Sequence, residues 1–143
     1  MSIDSTRLLQ FSQHFSKFYN RQFSTLLDQH GLSMREVQVL LFLANNPGYD
    51  TARDITELRG ISKSQVSQAV DLLAAEGLLL RTPDTADRRI IHLSITETGL
   101  PVAQAAQTIQ AGCGQALVEG LTQEQLDLLQ TLLETVLFSK ELF

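Results

Sequence analysis

A short amphipathic helix followed by a β-hairpin with a basic tip is the feature that most constrains the fold of this chain. Apolar residues recur at helical spacing through Ser62–Glu76, and Gly77 ends the helix. The hairpin Leu78–Ile95 turns at Pro83, and its second arm alternates apolar and polar positions. The helix has a polar outer face, and Arg88–Arg89 lie near the hairpin tip. The sequence therefore predicts a polar helix surface beside a cationic hairpin.

Helical patterns precede and follow this unit. Ser33–Glu36 and Thr122–Gln125 are typical capping boxes, in which side chains satisfy the free N–H groups at a helix start. The predicted helices cover about 4–30, 33–45, 51–59 and 62–76 before the hairpin, and 97–118 and 122–141 after it. Two helices joined by a tight glycine-bearing turn form a helix-turn-helix. We predict a mainly α fold with a small two-stranded β-wing, a winged helix-turn-helix flanked by helices from both chain ends.

Length and composition indicate a single domain. The chain has 143 residues, of which 43% are hydrophobic and 19% charged, so it can bury one core over 1–143. We place the winged helix-turn-helix lobe at about 33–98. No apolar run is long enough to span a membrane, and the polar N-terminus lacks the plan of a signal peptide. The single cysteine, Cys113, excludes an internal disulfide, so we predict a cytoplasmic protein with no membrane association.

The outer helices, at about 4–30 and 97–141, carry more apolar surface than a domain of this size is expected to cover. Apolar residues continue to the last two positions, Leu142 and Phe143. Symmetric pairing of two chains would bury this surface and set two fourth helices about one DNA turn apart, roughly 34 Å. The alternative is that the outer helices pack back on their own domain. We predict a homodimer in which they are dimerisation helices.

The net charge of −5 is unevenly distributed. From Ile90 to the end, one lysine stands against six acidic residues, whereas residues 1–89 are neutral overall and hold every arginine. An acidic C-terminal part and an arginine-bearing middle suit a protein that offers one face to double-stranded DNA. The charge permits DNA binding without requiring it.

Five polar residues lie at the leading end of the fourth helix and are our candidates for DNA contact. Serine bonds to several base edges, glutamine can pair with adenine, and lysine reaches guanine or phosphate. Asp71 is unfavourable near phosphates, so we expect only the first two turns to enter the major groove. The candidates are Lys63, Ser64, Gln65, Ser67 and Gln68. A merely solvated polar face is the alternative, and the adjacent hairpin weighs against it.

The hairpin tip and neighbouring helix ends supply the remaining candidates. An arginine at a wing tip can reach the minor groove, where the negative potential is concentrated, and Arg88 and Arg89 are placed for this. We interpret Asp87 as an internal anchor that accepts hydrogen bonds from an arginine or from the wing backbone. Arg35 and Arg53, near the starts of other helices, are candidates for phosphate contact.

Four stretches together resemble the MarR family of bacterial transcription regulators. They are Ser62–Gln68, Leu72–Leu79, Asp84–Arg89 and Leu93–Gly99. The resemblance implies a homodimer of triangular shape that binds a palindromic operator, commonly as a repressor released by a small ligand. The resemblance also implies that DNA is contacted by the recognition-helix and wing candidates named above, which are Lys63, Ser64, Gln65, Ser67, Gln68, Asp87, Arg88 and Arg89. Many members have an arginine just after the Val-Ser step, where this chain has Gln68.

Aromatic residues could line a pocket between the first helix and the DNA-binding lobe, although aromatic residues on helices more often belong to the core. The resemblance to the MarR family implies that such a pocket would hold a small aromatic effector. Its candidate lining residues are His14, Phe18, Tyr19, Phe42 and Tyr49. The three histidines are widely spaced and lack metal-ligand spacing with Cys113 or with a carboxylate pair, so we predict no metal and no cofactor.

Three functions compete on this evidence. A sequence-specific DNA-binding regulator, a homodimeric repressor, agrees with most of the patterns. A winged-helix protein-interaction module would suit the acidic charge but not the pair Arg88–Arg89. An oxidant-responsive regulator would use Cys113, although no cationic neighbour in sequence lowers the pKa of that thiol. The chain has no nucleophile elbow, phosphate-cradling glycine loop or paired catalytic carboxylates, so we predict that it is not an enzyme.

Overall fold

The computed structural model describes residues 2–138, and of Leu137 and Phe138 only the backbone. The chain divides after Gln110 into two compact units. The elements are α1 (Ser5–Gln22), α2 (Ser24–His30), α3 (Met34–Asn45), α4 (Ala52–Arg59), α5 (Lys63–Ala75), β1 (Leu79–Pro83), β2 (Ile91–Ile95), α6 (Leu100–Val118) and α7 (Gln123–Phe138). The predicted fold, mainly helical with a two-stranded wing, is confirmed.

One predicted helix is in fact two. The expectation of a continuous helix over 4–30 is wrong, because the chain turns at Phe23 between α1 and α2. The N–H of Phe23 donates to the carbonyl of Asn20, three residues back, in place of the four-residue bond of an α-helix. The side chain of Phe23 is fully buried. Burial of this ring in the core outweighs the helical preference of the local sequence.

The core of the first unit is built around α3, which packs against α5 and β2. Val37, Val39 and Leu40 of α3 are fully buried, as expected for a helix that is apolar almost all round. From α5, Val66 and Leu73 close the core from the opposite side. Because this stripe faces inward, the polar face of α5 is left pointing away from the core.

The helix-turn-helix is formed by α4 and α5, whose starts are capped by their own side chains. Thr51 accepts from the backbone N–H of Asp54 at 3.1 Å, and the Asp54 carboxylate accepts from the N–H of Thr51 at 3.1 Å. Ser62 accepts from the N–H of Gln65 at 3.3 Å and opens α5. Between the helices Gly60 adopts φ 64°, a left-handed conformation that favours glycine. These local signals explain why the prediction of the two helices holds.

The wing is an antiparallel hairpin of β1 and β2, in which Arg81 pairs with Leu93 and Thr82 with His92. Its second strand leads into α6 through Thr96. The Thr96 hydroxyl donates to the carbonyl of Gly77 at 2.6 Å and accepts from the N–H of Gly99 at 3.0 Å. The hairpin is thereby tied back to the end of α5, so its base is fixed with respect to that helix.

The second unit holds the last turns of α6 and all of α7. The predicted capping box is present: the N–H of Thr122 donates to the Gln125 side chain at 2.9 Å, and the N–H of Gln125 donates to the Thr122 hydroxyl at 3.2 Å. Several large apolar side chains of α7 are exposed in this unit, namely Leu128, Leu132, Leu133 and Val136. The predicted apolar chain end, Leu142 and Phe143, lies outside the described residues.

Candidate nucleic-acid interface

The outer face of α5 is free to meet a ligand. All five polar residues that the sequence singles out on this helix are exposed: Lys63, Ser64, Gln65, Ser67 and Gln68. Lys63 makes no ion pair with any described residue, and the Ser64 hydroxyl oxygen lies 3.4 Å from that of Ser62. Apart from the Ser62–Ser64 contact, the side chains on this face make no hydrogen bond or ion pair with the rest of the described chain.

A depression of about 310 Å³ lies between the start of α3 and this face. Arg35 and Glu36 line one side, and Gln65 and Gln68 line the other. Glu36 is buried and serves the cap of α3, where its carboxylate accepts from the backbone N–H of Ser33 at 3.2 Å. Arg35 donates to Gln38 at 2.9 Å and has no acidic partner among the described residues. The structure thus brings one predicted phosphate-contacting arginine beside two predicted base-contacting glutamines.

The wing tip is built around two aspartates. One carboxylate oxygen of Asp84 accepts from the N–H groups of Ala86 and Asp87 at 3.0 and 2.9 Å, which shapes the turn. Asp87 in turn accepts from the guanidinium of Arg89 at 3.1 and 3.2 Å. Hydrogen bonds from Arg89 hold the pKa of Asp87 below its usual value. Asp87 thus bonds an arginine within the wing, as the sequence predicts.

Arg88 differs from its neighbour. It is exposed, and no described residue pairs with its guanidinium. Because Arg89 forms an ion pair with Asp87, Arg88 is the cation at the tip that remains available to an external anion. The two arginines that the sequence treats as a pair therefore have different roles in the structure.

His92 was missed as a site residue by reasoning from the sequence. Its Nδ1 lies 2.9 Å from Oδ1 of Asp50, and its Nε2 lies 2.8 Å from Oδ1 of Asp84. Hydrogen bonds to Asp84 and Asp50 raise the pKa of His92. The bond to His92, with those from Asp87 and Ala86, lowers the pKa of Asp84 to about 2. Alternation in β2 placed His92 on the outer face, but nothing in the local pattern pointed to Asp50, 42 positions away.

The other arginines near the interface are partly committed. Arg53 forms an ion pair with Glu57 at 2.8 Å on the exposed side of α4, and this pair raises the pKa of Arg53. Arg81 of β1 pairs with Asp71 of α5. A phosphate that contacts Arg53 would have to compete with the carboxylate of Glu57. Arg35 has no ion-pair partner among the described residues, so a phosphate would meet no such competition there.

The five residues predicted to line an effector pocket differ in their exposure and in their contacts. Phe42 is 3% exposed within the core, and Tyr49 is 51% exposed. The ring of Tyr19 packs on Phe23 at 4.9 Å between centroids, and its hydroxyl accepts from Gln110 at 3.1 Å. The effector pocket stays a prediction, since helical spacing alone does not tell which aromatic side chains face the core. His14 instead lines an open depression of about 480 Å³ on α1, the rest of which is formed by Lys17, Asn20 and Arg21.

Cys113 is buried, and burial raises the pKa of its thiol. A protonated, buried thiol reacts slowly with oxidants. Within residues 2–138, no group of three or more His, Cys, Asp or Glu side chains is arranged to hold a metal ion. None of the helices described there is both long enough and apolar enough to cross a membrane.

Comparison with known proteins agrees with this geometry. Residues 30–90, which contain α3–α5 and most of the wing, match the sequence pattern of the MarR family. The chain is 27% identical over 123 residues to the HTH-type transcriptional repressor IacR of Pseudomonas putida. This alignment covers 86% of the present chain and 73% of IacR.

Two solved structures show the same fold. One is MepR of S. aureus in complex with DNA, with a TM-score of 0.75 at 21% identity, covering 97% of this chain and all of that one. The other is CouR of Rhodococcus jostii RHA1 bound to p-coumaroyl-CoA, with a TM-score of 0.70 at 22% identity and 92% of both chains covered.

Proposed function

We propose that the chain, whose residues 30–90 match the MarR family, is a transcription regulator of that family that represses transcription as a homodimer on a palindromic operator and is released by a small ligand. On each half-site α5 enters the major groove and the wing follows the neighbouring minor groove. Lys63, Ser64, Gln65, Ser67 and Gln68 face the bases, while Arg88 and Arg35 meet the backbone or the minor groove.

One observation carries this proposal: an uncommitted polar helix face stands beside a wing whose tip presents an unpaired arginine. Caps and internal bonds hold the start of α5 and the wing turn, while the side chains of Lys63, Gln68 and Arg88 make no hydrogen bond or ion pair with another described residue. A site prepared in this way is suited to a polyanion that offers hydrogen-bonding edges. The winged helix of MepR, which has the same fold, was solved with DNA, and this supports the assignment.

The homodimer is supported by exposed apolar side chains near both ends of the chain. In the first unit, α1 buries no residue and exposes Leu8, Leu9 and Phe11. In the second, α7 exposes Leu128 and Leu132. Burying such surface against a second copy is favourable by about 25 cal/mol per Å². Two copies would also present two α5 helices to the two halves of a palindrome.

The effector we propose is a small aromatic acid. The depression on α1 offers the cations Lys17 and Arg21 beside His14 and Asn20, which suits a carboxylate. Two proteins of the same fold have aromatic ligands: CouR was solved bound to p-coumaroyl-CoA, and 6-hydroxynicotinic acid regulates DNA binding by BpsR of Bordetella bronchiseptica.

Fluorescence anisotropy with labelled duplexes tests the proposal. One duplex carries DNA from the region flanking the protein's own gene, and the other is a scrambled duplex of equal length. We expect tighter binding to the first, with an affinity that falls steeply as salt increases, because phosphate contacts release counterions. Light scattering of the free protein should give twice the chain mass of 15.9 kDa.

The alternative functions give different results. Equal, weak binding to both duplexes at every salt concentration would contradict a sequence-specific regulator and favour the protein-interaction module. A scattering mass of one chain would contradict the homodimer while leaving DNA binding itself to the anisotropy result.

A further inference from the structure

We propose that His92 is a positioning residue that holds the wing in its DNA-binding arrangement by bridging Asp50 and Asp84 through both ring nitrogens. Affinity for DNA should therefore fall when His92 loses its proton. This inference rests on the proposed function, since it concerns how the wing meets DNA. It goes beyond that function by making the strength of repression depend on pH.

The bridge joins three separate parts of the first unit. Asp50 lies in the loop between α3 and α4, His92 lies in β2, and Asp84 opens the turn at the wing tip. The two distances, 2.9 Å to Asp50 and 2.8 Å to Asp84, are both those of hydrogen bonds. The backbone carbonyl of Asp50 also accepts from the N–H of Leu93 at 2.7 Å, so Asp50 is bonded to two adjacent residues of the strand.

The chemistry of the ring requires a proton on each nitrogen. A neutral imidazole has one N–H donor, and its second nitrogen is an acceptor. Ionised carboxylates only accept, so a neutral His92 would oppose its lone pair to an oxygen of Asp50 or of Asp84. The imidazolium satisfies both contacts with charge-assisted bonds. The raised pKa of His92 agrees with this geometry.

Asp84 transmits the state of His92 to the tip. The oxygen that contacts His92 is Oδ1, while Oδ2 accepts from the N–H groups of Ala86 and Asp87. The N–H of Asp84 donates to the carbonyl of Ile90 at 2.8 Å and closes the turn. Asp87 then holds Arg89, so rotation of the Asp84 carboxylate would loosen the loop that carries Arg88.

Other charges near the ring are few. The cross-strand neighbour of His92 on β1 is Thr82, which is uncharged, and the next charged residue on that strand, Arg81, is paired with Asp71. Two charged groups face the ring: Asp50 from the loop between α3 and α4, and Asp84 from the wing turn. Among the described residues they are the ones whose charge acts on the pKa of His92.

The test measures DNA affinity against pH for the wild type and for two matched variants. His92→Gln removes the titrating bridge, and His30→Gln removes an exposed histidine for which no described residue is a hydrogen-bond partner. The probe is a duplex selected from a randomised library, used at constant salt between about pH 6 and about pH 8.5. For the wild type we expect affinity to fall by about three- to tenfold across this range.

The His30→Gln variant should keep this pH dependence, and His92→Gln should show a flat profile at the lower, high-pH affinity. The ring resonances of His92, followed by NMR in the same samples, should place its titration midpoint above the ordinary value of histidine. Asp50→Asn, which keeps the shape of the side chain, should lower that midpoint and shift the affinity profile to lower pH.

The outcomes separate the two proposals. Absence of specific DNA binding by the wild type at about pH 6 would contradict the proposed function. Specific binding whose pH dependence survives in His92→Gln would overturn the role of His92 alone. So would a His92 ring that titrates with the same midpoint in the wild type and in Asp50→Asn, because that result would exclude the bridge even if a variant folded poorly.

Discussion

Arg81 of β1 and Asp71 of α5 form an ion pair, with Nη2 of the arginine 2.5 Å from Oδ1 of the aspartate. The pair joins the base of the wing to the third turn of the helix that we propose to enter the major groove. It gives a reason for an acidic residue on that helix, which the sequence marked as unfavourable near phosphates. Asp71 neutralises a wing arginine and helps to fix the angle between wing and helix.

Replacing Asp71 by asparagine should strengthen DNA binding to all sequences alike. The change frees Arg81 for phosphate and removes a negative charge, so the salt dependence of log affinity should steepen by about one phosphate contact. Stability should change by less than about 1 kcal/mol, because both side chains are substantially exposed. Asp28→Asn, on α2, makes the same change in net charge and serves as the control. Equal effects of the two variants would show that Arg81 gains no contact.

Arg88 and Gln68 should differ in what they contribute to binding. Arg88→Ala removes the free cation of the wing tip, so affinity should fall for every duplex and the salt dependence should become shallower.

Gln68→Ala removes a base-facing amide, so the preferred base should change at one position of each half-site, by about 1–3 kcal/mol of discrimination. Competition assays with a set of single-base variants of the selected duplex check both. A uniform loss for Gln68→Ala would contradict its role in base contact.

The parts of the structure that the sequence predicts are those set by neighbouring residues. Ser62, Gly60 and the apolar stripe of α5 act within a few positions, and they place the helix-turn-helix correctly. The break at Phe23 and the bridge from His92 to Asp50 depend on partners far along the chain. No periodicity within a helix or a strand carries that information, since it arises only when the elements pack.

Stability should depend on pH through the same bridge. The pKa of Asp84 is lowered from 3.8 to about 2, so its ionised form stabilises the fold above pH 3.8, and this contribution is lost as pH falls toward 2. The pKa of His92 is raised from 6.5, so its charged form stabilises fully below pH 6.5, and this contribution is lost as pH rises through the raised value. Between pH 3.8 and 6.5 both contributions are present. Urea unfolding at a series of pH values should show Asp84→Asn and the wild type differing most in this window. The difference should vanish as pH falls toward 2 and should decrease only in part as His92 loses its proton, because the bonds from Ala86 and Asp87 to Asp84 remain.

Cys113 should be dispensable for any response to peroxide. Its thiol is buried and its pKa is raised by that burial, so the reactive thiolate is scarce at neutral pH. We expect Cys113→Ser and the wild type to bind DNA equally before and after treatment with hydrogen peroxide. Loss of binding in the treated wild type but not in Cys113→Ser would instead support the oxidant-responsive function.

Gly99 should be intolerant of any side chain, for a reason unrelated to its backbone conformation. A Cβ at this position would collide with the carbonyl oxygen of Leu78 and lie 3.0 Å from its carbonyl carbon. That carbonyl accepts from the N–H of Thr96 at 3.0 Å, so moving it away would break the joint between the hairpin and α6.

Gly99→Ala should therefore destabilise the protein by about 1–3 kcal/mol, the usual cost of forcing atoms into a packed site. Gly112→Ala is the matched control, because Gly112 lies inside α6 and, apart from the neighbouring backbone of that helix, no atom of the described residues lies within 4 Å of the position of a Cβ there. Alanine is preferred to glycine in a helix interior, so this variant should gain about 0.5–1 kcal/mol. Urea unfolding measures both. If the two variants shift stability in the same direction, the collision at Gly99 is not what makes glycine necessary there.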